Sequence, residues 1–323
     1  MPIRLVRYRW RQDHAERGLA ARVGLQRDDG AVVDLVGAWA AAGHSQKPWG
    51  PDQQDPLLAT LAAGIALAVT LRALRDDPPT DCVRGADAVQ LTAPVIPATV
   101  VATGWNFPAH VEEARDRVGA VVPSTPTGFL KLPCTIVGPE DEVIRPGGEE
   151  RLDYEVELAA VLCRRTFRVD RTSAEAAIGG YTLMNDVSAR GVQEPEMKAG
   201  LLLAGKNFPT FGPFGPAIVP AWDFDMEAAR LLARVNGEAR QDAFATTATR
   251  DLTELIAYWT TIFPLAAGDV VTLGSPPGVA YGGSEAYLRP GDVIELEEAQ
   301  IGVLRNRVVE AHVTGADAAS GKW

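Results

Sequence analysis

The stretch Leu152–Leu162, LDYEVELAAVL, constrains this chain more than any other. Its second half is uniformly apolar, which a strand tolerates when both of its faces are covered. Its first half carries Asp153, Glu155 and Glu157 at alternate positions, and alternate side chains of a strand share a face. An interior strand of this composition brings acids to a place where water is scarce. Two same-face carboxylates, about 7 Å apart, repel and resist burial unless a cation sits between them. Asp186, ending the next expected strand Gly179–Asp186, would complete a set of three with Glu155 and Glu157. Oxygen ligands without a soft donor select a hard divalent ion, Mg²⁺ with Mn²⁺ or Ca²⁺ as alternatives, over zinc. The competing reading is the solvated face of a surface strand, and the apolar run that follows argues against it.

Composition closes off other classes. The 323 residues suffice for two average domains or one large mixed domain with an appendage. The formal charge is −11 and no cluster of Lys and Arg interrupts it, so a nucleic-acid partner is not expected. Cys82, Cys134 and Cys163 are widely spaced and form no C-x-x-C pair, which argues against a disulfide framework or thiolate zinc site and for a reducing, cytoplasmic setting. The opening MPIRLVRYRW alternates basic and apolar residues as a half-buried strand does, unlike a secretory leader. Pro56–Leu71 is apolar but falls short of the roughly 20 residues that span a bilayer. It runs directly into Arg72, so a buried helix is expected and no membrane association.

The order of elements predicts an α+β chain in which β predominates. Strands are expected at Leu152–Leu162, Gly179–Asp186, Gly215–Pro220, Gly268–Gly274 and Gly291–Glu297. Asn236-Gly237 between alternating flanks is a strong hairpin signal. Asp251–Phe263 reads as a helix, with Asp251 as N-cap, Glu254 three residues later and Pro264 past the end. Pro94 and Pro97 punctuate a join, dividing the chain into a small α+β domain (1–93), a main domain (94–310) and a tail (311–323).

Further residues are candidates for chemistry. In NFPAHVEEA, Pro108 fits the first position of a helix, and His110 and Glu113 share a face, so the carboxylate can hold the imidazole as a base for water. An incidental surface pair is the plainer reading. Lysines are scarce, five against 26 Arg, and Lys131 and Lys206 stand in apolar or Gly/Pro-rich surroundings where a compact cation could meet an anionic oxygen. Gly274–Gly283, GSPPGVAYGG, reads either as a pocket wall of backbone N–H groups or as a plain connection. Gly119–Gly128 has the composition of a lid or a passive loop, and Trp105, Phe107, Phe208, Phe211 and Phe214 hint at a substrate larger than pyruvate.

In chain order, GWNFPAHVEEA, GFLKLP, LDYEVELAAVL, GGYTLMNDVSARGVQ, LAGKNFPTFGPFGPAIV, VNGEARQ and GDVVTLGSPPGV resemble the fumarylacetoacetate hydrolase family over about Pro94 to Val309. The resemblance implies a mixed β-sandwich roll with a smaller N-terminal domain, assembled as a homodimer. It implies Glu155, Glu157 and Asp186 as metal ligands and His110 with Glu113 as the water-activating dyad. Lys206 would polarise a substrate oxygen, Gln193 would stand near the nucleophilic water, and Ser275 would meet the substrate carboxylate. Asn106, Phe107 and Lys131 fall in matching segments and are assigned to substrate contact. The implied reaction is divalent-metal-dependent hydrolysis of a C–C bond in a 2,4-dioxo, acylpyruvate-like acid through an enolate that the cation stabilises. Decarboxylation, isomerisation or tautomerisation of an oxo-dicarboxylate is the alternative, and a non-catalytic small-molecule binder a third. Two positions depart from the pattern: Gly191 stands where the family usually has Asp, and Ser275 where Thr is usual.

Overall fold

A computed structural model describes residues 1–11, 21–44, 47–49, 55–119, 121–282 and 286–311. Its backbone is a large mixed sheet of twelve strands, a second sheet of five, and a two-stranded ribbon. The large sheet runs from Val83–Arg84 through Val32–Asp34, Arg22–Gln26, Arg4–Trp10, Gly212–Pro220, Ile178–Asn185, Val156–Leu162, Val270–Thr272 and Val100–Gly104 to Thr127–Lys131. N-terminal strands therefore continue the same sheet that carries the acids, joined where Leu5 faces Ile218. The five-stranded sheet is ordered Glu238–Phe244, Arg230–Val235, Val293–Glu298, Gly302–Glu310, Glu142–Arg145. Its hairpin turns at Asn236-Gly237, both with positive φ, as expected from that dipeptide.

The strand Val156–Leu162 shows why its sequence is apolar throughout. Val156, Leu158, Ala160 and Leu162 belong to a core shared with Leu231, Ala233, Leu296 and Leu304 of the second sheet. Ala159 and Val161 belong to a second core with Leu57, Leu61 and Leu71 of the N-terminal helices. Every residue of the strand is buried. The fold is α+β and mainly β, with the sheets packed across the first core.

Several expected elements differ in detail. The strand expected over Leu152–Leu162 is broken: Leu152–Asp153 pairs with Ser188–Ala189 in the separate ribbon, and the main strand begins at Val156. Asp153 consequently leaves the acidic face. Pro56–Ala63 and Ala68–Asp76 are helices separated by a tighter turn from Gly64. The whole segment Pro56–Asp76 is long and apolar enough to cross a membrane by length and composition. Leu57, Leu61, Leu71 and Leu74 are buried in the N-terminal core, whereas Ile65 and Val69 are exposed, so the segment is half-buried rather than fully buried. The helix Leu252–Thr260 starts as expected, with the Asp251 side chain accepting from Glu254 N. Cys82, Cys134 and Cys163 are all free thiols. All but Ala311 of the expected tail lies outside the described residues.

Candidate active site

Glu155, Glu157 and Asp186 converge. Asp186 follows the strand Ile178–Asn185, and its N–H donates to Glu155 O at 2.9 Å, so the ladder between the two strands continues just past their ends. Ligand oxygens of all three lie within 4.8 Å of one another, and all three residues are buried. Lys131 Nζ meets Asp186 Oδ1 at 2.6 Å and Lys206 Nζ meets Asp186 Oδ2 at 2.6 Å. Lys206 also reaches Glu155 Oε2 at 2.8 Å, while Arg190 donates to Glu155 Oε1 at 2.5 Å. Glu157 Oε2 has no hydrogen-bond partner.

These contacts divide the three acids electrostatically. Burial by itself would raise the Glu155 carboxyl, but Lys206 and Arg190 outweigh it and hold it at about 2. Glu157 goes the other way: burial first, then the Asp186 and Glu155 carboxylates, push it well above the usual carboxylate range. The two lysines also part company. Burial lowers Lys131, which has Asp186 as its carboxylate partner, whereas Lys206 faces Asp186 and Glu155 and is raised despite burial. An acid with one unpartnered oxygen, pushed toward its protonated form, beside two acids paired with cations, with only oxygen donors, is a donor set that fits a hard divalent cation.

The three acids open onto a cavity of about 540 Å³ whose wall also includes His110, Gln193, Lys206 and Ser275. Pro108 occupies the first turn of the helix Pro108–Val118, as expected. His110 Nδ1 lies 3.3 Å from Glu113 Oε2, and the imidazole stacks on Trp105 with centroids 5.5 Å apart. Glu113 Oε1 is held by Gly278 N at 2.9 Å. Gly278 sits at φ +103 with Arg240 O 2.0 Å from where a Cβ would be, so only glycine fits. The Gly274–Gly283 loop thus spends its backbone donors on the site's acids: Ala280 N and Tyr281 N bind Asp153 at 2.8 and 2.9 Å. Gly283 lies outside the described residues.

Other expected contacts are placed elsewhere. Lys131 lies behind Asp186, bound to that carboxylate and to Lys206 O, and is not on the cavity wall. Asn106 ties the loop to Arg250 O and Leu273 O, and Phe107, Phe211 and Phe214 are core residues. Ser275 Oγ accepts from Gln241 Nε2 at 2.8 Å. Of the expected aromatic residues, Trp105 lines the cavity; Phe129, unforeseen, does too.

Sequence reasoning also missed Arg190. Its guanidinium joins Asp153, Glu155 and the Gln193 side-chain oxygen Oε1, with Nη1 2.6 Å from the last. A signal existed in the i,i+3 spacing of Arg190 and Gln193 along one helix face, but the acidic partners lie 35 to 37 positions away.

Comparison with known proteins agrees with the motif order. Residues 99–309 match the family model described as fumarylacetoacetate (FAA) hydrolase C-terminal. The mitochondrial oxaloacetate tautomerase FAHD2A of Bos taurus is 36% identical over 246 residues, covering 75% of this chain and 76% of the relative. Among solved structures, fumarylacetoacetate hydrolase from psychrophilic Exiguobacterium antarcticum superposes with a TM-score of 0.71 at 28% identity, over 96% of this chain and 100% of that one. The 5-carboxymethyl-2-hydroxymuconate delta-isomerase from Mycobacterium smegmatis gives 0.69 at 27% identity, over 95% and 100%. Hydrolases, isomerases and tautomerases share this framework, and the chain belongs to the fumarylacetoacetate hydrolase family of enzymes.

Proposed function

We propose that this enzyme hydrolyses the C–C bond of a 2,4-dioxo, acylpyruvate-like monocarboxylic acid, with Glu155, Glu157 and Asp186 holding a divalent ion, Mg²⁺ by preference. The observation that carries the reading is the charge balance of the buried site together with the His110–Glu113 pair on its wall. Once ion binding displaces the Glu157 proton, four buried carboxylates (Asp153, Glu155, Glu157, Asp186) face three buried cations (Lys131, Arg190, Lys206), a deficit of one positive charge. A divalent ion would turn that into an excess of one, which a single substrate carboxylate neutralises. A dicarboxylate would bring a second anion. Among the described lining residues, Arg190 and Lys206 are already committed to carboxylates, and the remaining wall includes Phe129, Leu130, Met197 and Leu202. An acyl tail suits that wall better than another anion.

When bound, the ion would supply positive charge opposite the oxygens on which negative charge develops. With Nδ1 turned to Glu113, the imidazole has Nε2 left to take a proton from water. The hydroxide so formed adds to the distal carbonyl carbon. Lys206 spends two of its three N–H donors on Glu155 and Asp186, and the third can meet the oxyanion. Gln193 accepts from Arg190 through its side-chain oxygen, which leaves its NH₂ group free of that contact to orient water. As the C–C bond breaks, its electron pair passes to the pyruvate half, and the proton held at His110 returns to it. Water and one acylpyruvate thereby give one carboxylic acid and one pyruvate.

A second reading rests on the likeness to the bovine oxaloacetate tautomerase. The same imidazole would shuttle a proton between carbon and oxygen without added water. The test is to supply acylpyruvates of increasing acyl length and, separately, enol oxaloacetate, each with Mg²⁺, and follow pyruvate release and loss of enol absorbance. Pyruvate release from acylpyruvates is expected. Enol loss from oxaloacetate with no acylpyruvate cleavage would replace hydrolysis with the second reading.

A further inference from the structure

The helix Arg190–Lys198 delivers Arg190 and Gln193 to the cavity, yet its own N-cap residue, Ala189, offers no side-chain hydrogen bond. The first N–H groups of any helix lack partners within it. Here the partner comes from 42 positions upstream: Gly191 N donates to Glu149, 3.1 Å from Oε2 and 3.4 Å from Oε1. Glu149 is buried, and its Oε1 also accepts from Arg151 N at 2.7 Å. Arg151 completes a clamp on the same turn. Its carbonyl accepts from Arg190 N at 3.0 Å, and its guanidinium donates to Glu194 at 2.8 Å. An anion at a helix start is favoured by the N–H dipoles that converge there.

Gly191 makes the arrangement exclusive. A Cβ at that position would lie 2.8 Å from Glu149 Oε2 and 3.0 Å from Oε1. Any side chain at 191, an Asp included, would have to displace the Glu149 carboxylate. Glycine inside a helix costs up to about 1 kcal/mol relative to alanine, and Gly191 is the second residue of this one.

We propose that Glu149 is a positioning residue of the active site, which fixes the first turn of the helix so that the Arg190 guanidinium stays seated between Asp153 and Glu155. Arg190 occupies Oε1 of Glu155 at 2.5 Å, and Lys206 occupies Oε2 at 2.8 Å. The direction in which Glu155 faces its neighbours Glu157 and Asp186 therefore depends on Arg190. The part of this proposal that concerns ion binding rests on the function proposed above; the part that concerns Arg190 does not.

Two measurements separate these parts. The Arg190 Nε–H, bonded to buried Asp153 at 2.9 Å, should exchange slowly with water and is assignable by NMR as the signal lost in R190K. In E149A its exchange should accelerate at least tenfold, in E149Q far less, because the amide oxygen can still accept from Gly191 N. Magnesium titration by calorimetry should show affinity about tenfold to hundredfold weaker in E149A, the range for groups that support ligands, with partial rescue in E149Q. G191A should resemble E149A, but in the E149A background the same alanine should have no further effect on either readout. Unchanged Arg190 exchange in E149A, or a G191A effect that persists without Glu149, overturns the proposal. Failure of the parent protein to bind magnesium would instead sink the functional reading, while the exchange experiment still decides the role of Glu149.

Discussion

Replacing Glu157 with Gln isolates the proposed ligand that has an unpartnered oxygen. Glu157 is 1% exposed and its Oε2 has no partner, while burial and the Asp186 and Glu155 carboxylates favour its protonated form. Gln reproduces the shape and neutrality of that form. The ion-free protein should therefore change in stability by no more than about 1 kcal/mol, the net worth of one hydrogen bond. Its pH dependence should change visibly. A carboxyl raised in the folded state adds stability at low pH that is lost as pH climbs from the ordinary value of 4.5 toward the folded one. E157Q should lack this decline. Ion binding should respond in the opposite sense. Magnesium at a hundred times the parent's dissociation constant adds about 2.7 kcal/mol of stability, roughly 5 °C in Tm at about 2 °C per kcal/mol for a long chain. A variant that binds about a hundredfold more weakly would retain about 0.4 kcal/mol, or about 1 °C. The assay is thermal unfolding of chelator-treated protein with and without magnesium. Equal magnesium shifts in parent and E157Q would refute the ligand assignment. Loss of several kcal/mol in ion-free E157Q would refute the protonated state.

Other sites give sharper contrasts. K206M removes the cation shared by Glu155 and Asp186 and should cost the ion-free protein about 3–5 kcal/mol, as for a broken buried pair; equilibrium urea unfolding would measure it. H110A should lower kcat for acylpyruvate cleavage about 10²–10⁴-fold while leaving magnesium affinity within about threefold, as read from steady-state kinetics beside calorimetry. Asp34 caps the helix Leu35–Ala41 and accepts from Tyr8 and Arg22. Burial would raise its carboxyl, but Arg22, Tyr8 and Gly37 together lower it. Its stabilisation is present at neutral pH and lost as pH falls below the ordinary 3.8 through the lowered folded value. D34N should therefore be less stable at pH 7 than the parent, and the difference should shrink in acid unfolding titrations. The homodimer implied by the family resemblance predicts a light-scattering mass of twice 34.5 kDa.

Local sequence determined a good deal here. Period-two alternation put Glu155 and Glu157 on one face, and the apolar run after them announced a strand covered on both sides. Helical spacing paired His110 with Glu113, Asn236-Gly237 marked its hairpin, and Asp251 marked its helix start. Each of these depends on residues within a few positions of one another, where backbone geometry leaves few choices.

Tertiary structure decided which groups act as partners. Asp153 alternates with Glu155 in sequence, yet a break in the strand turns it toward Arg190 and the backbone of Ala280 and Tyr281. Lys131 and Lys206 look equivalent by their surroundings in the chain, but one stands behind Asp186 and the other on the cavity wall. Arg190 showed locally only its three-residue spacing to Gln193, and Glu149 showed nothing of its role, because their partners Glu155 and Gly191 lie 35 and 42 positions away. Periodicity says which way a side chain points along its own element. What it meets there is settled only when separate elements pack, since burial compels every charge to find an opposite one wherever the fold supplies it.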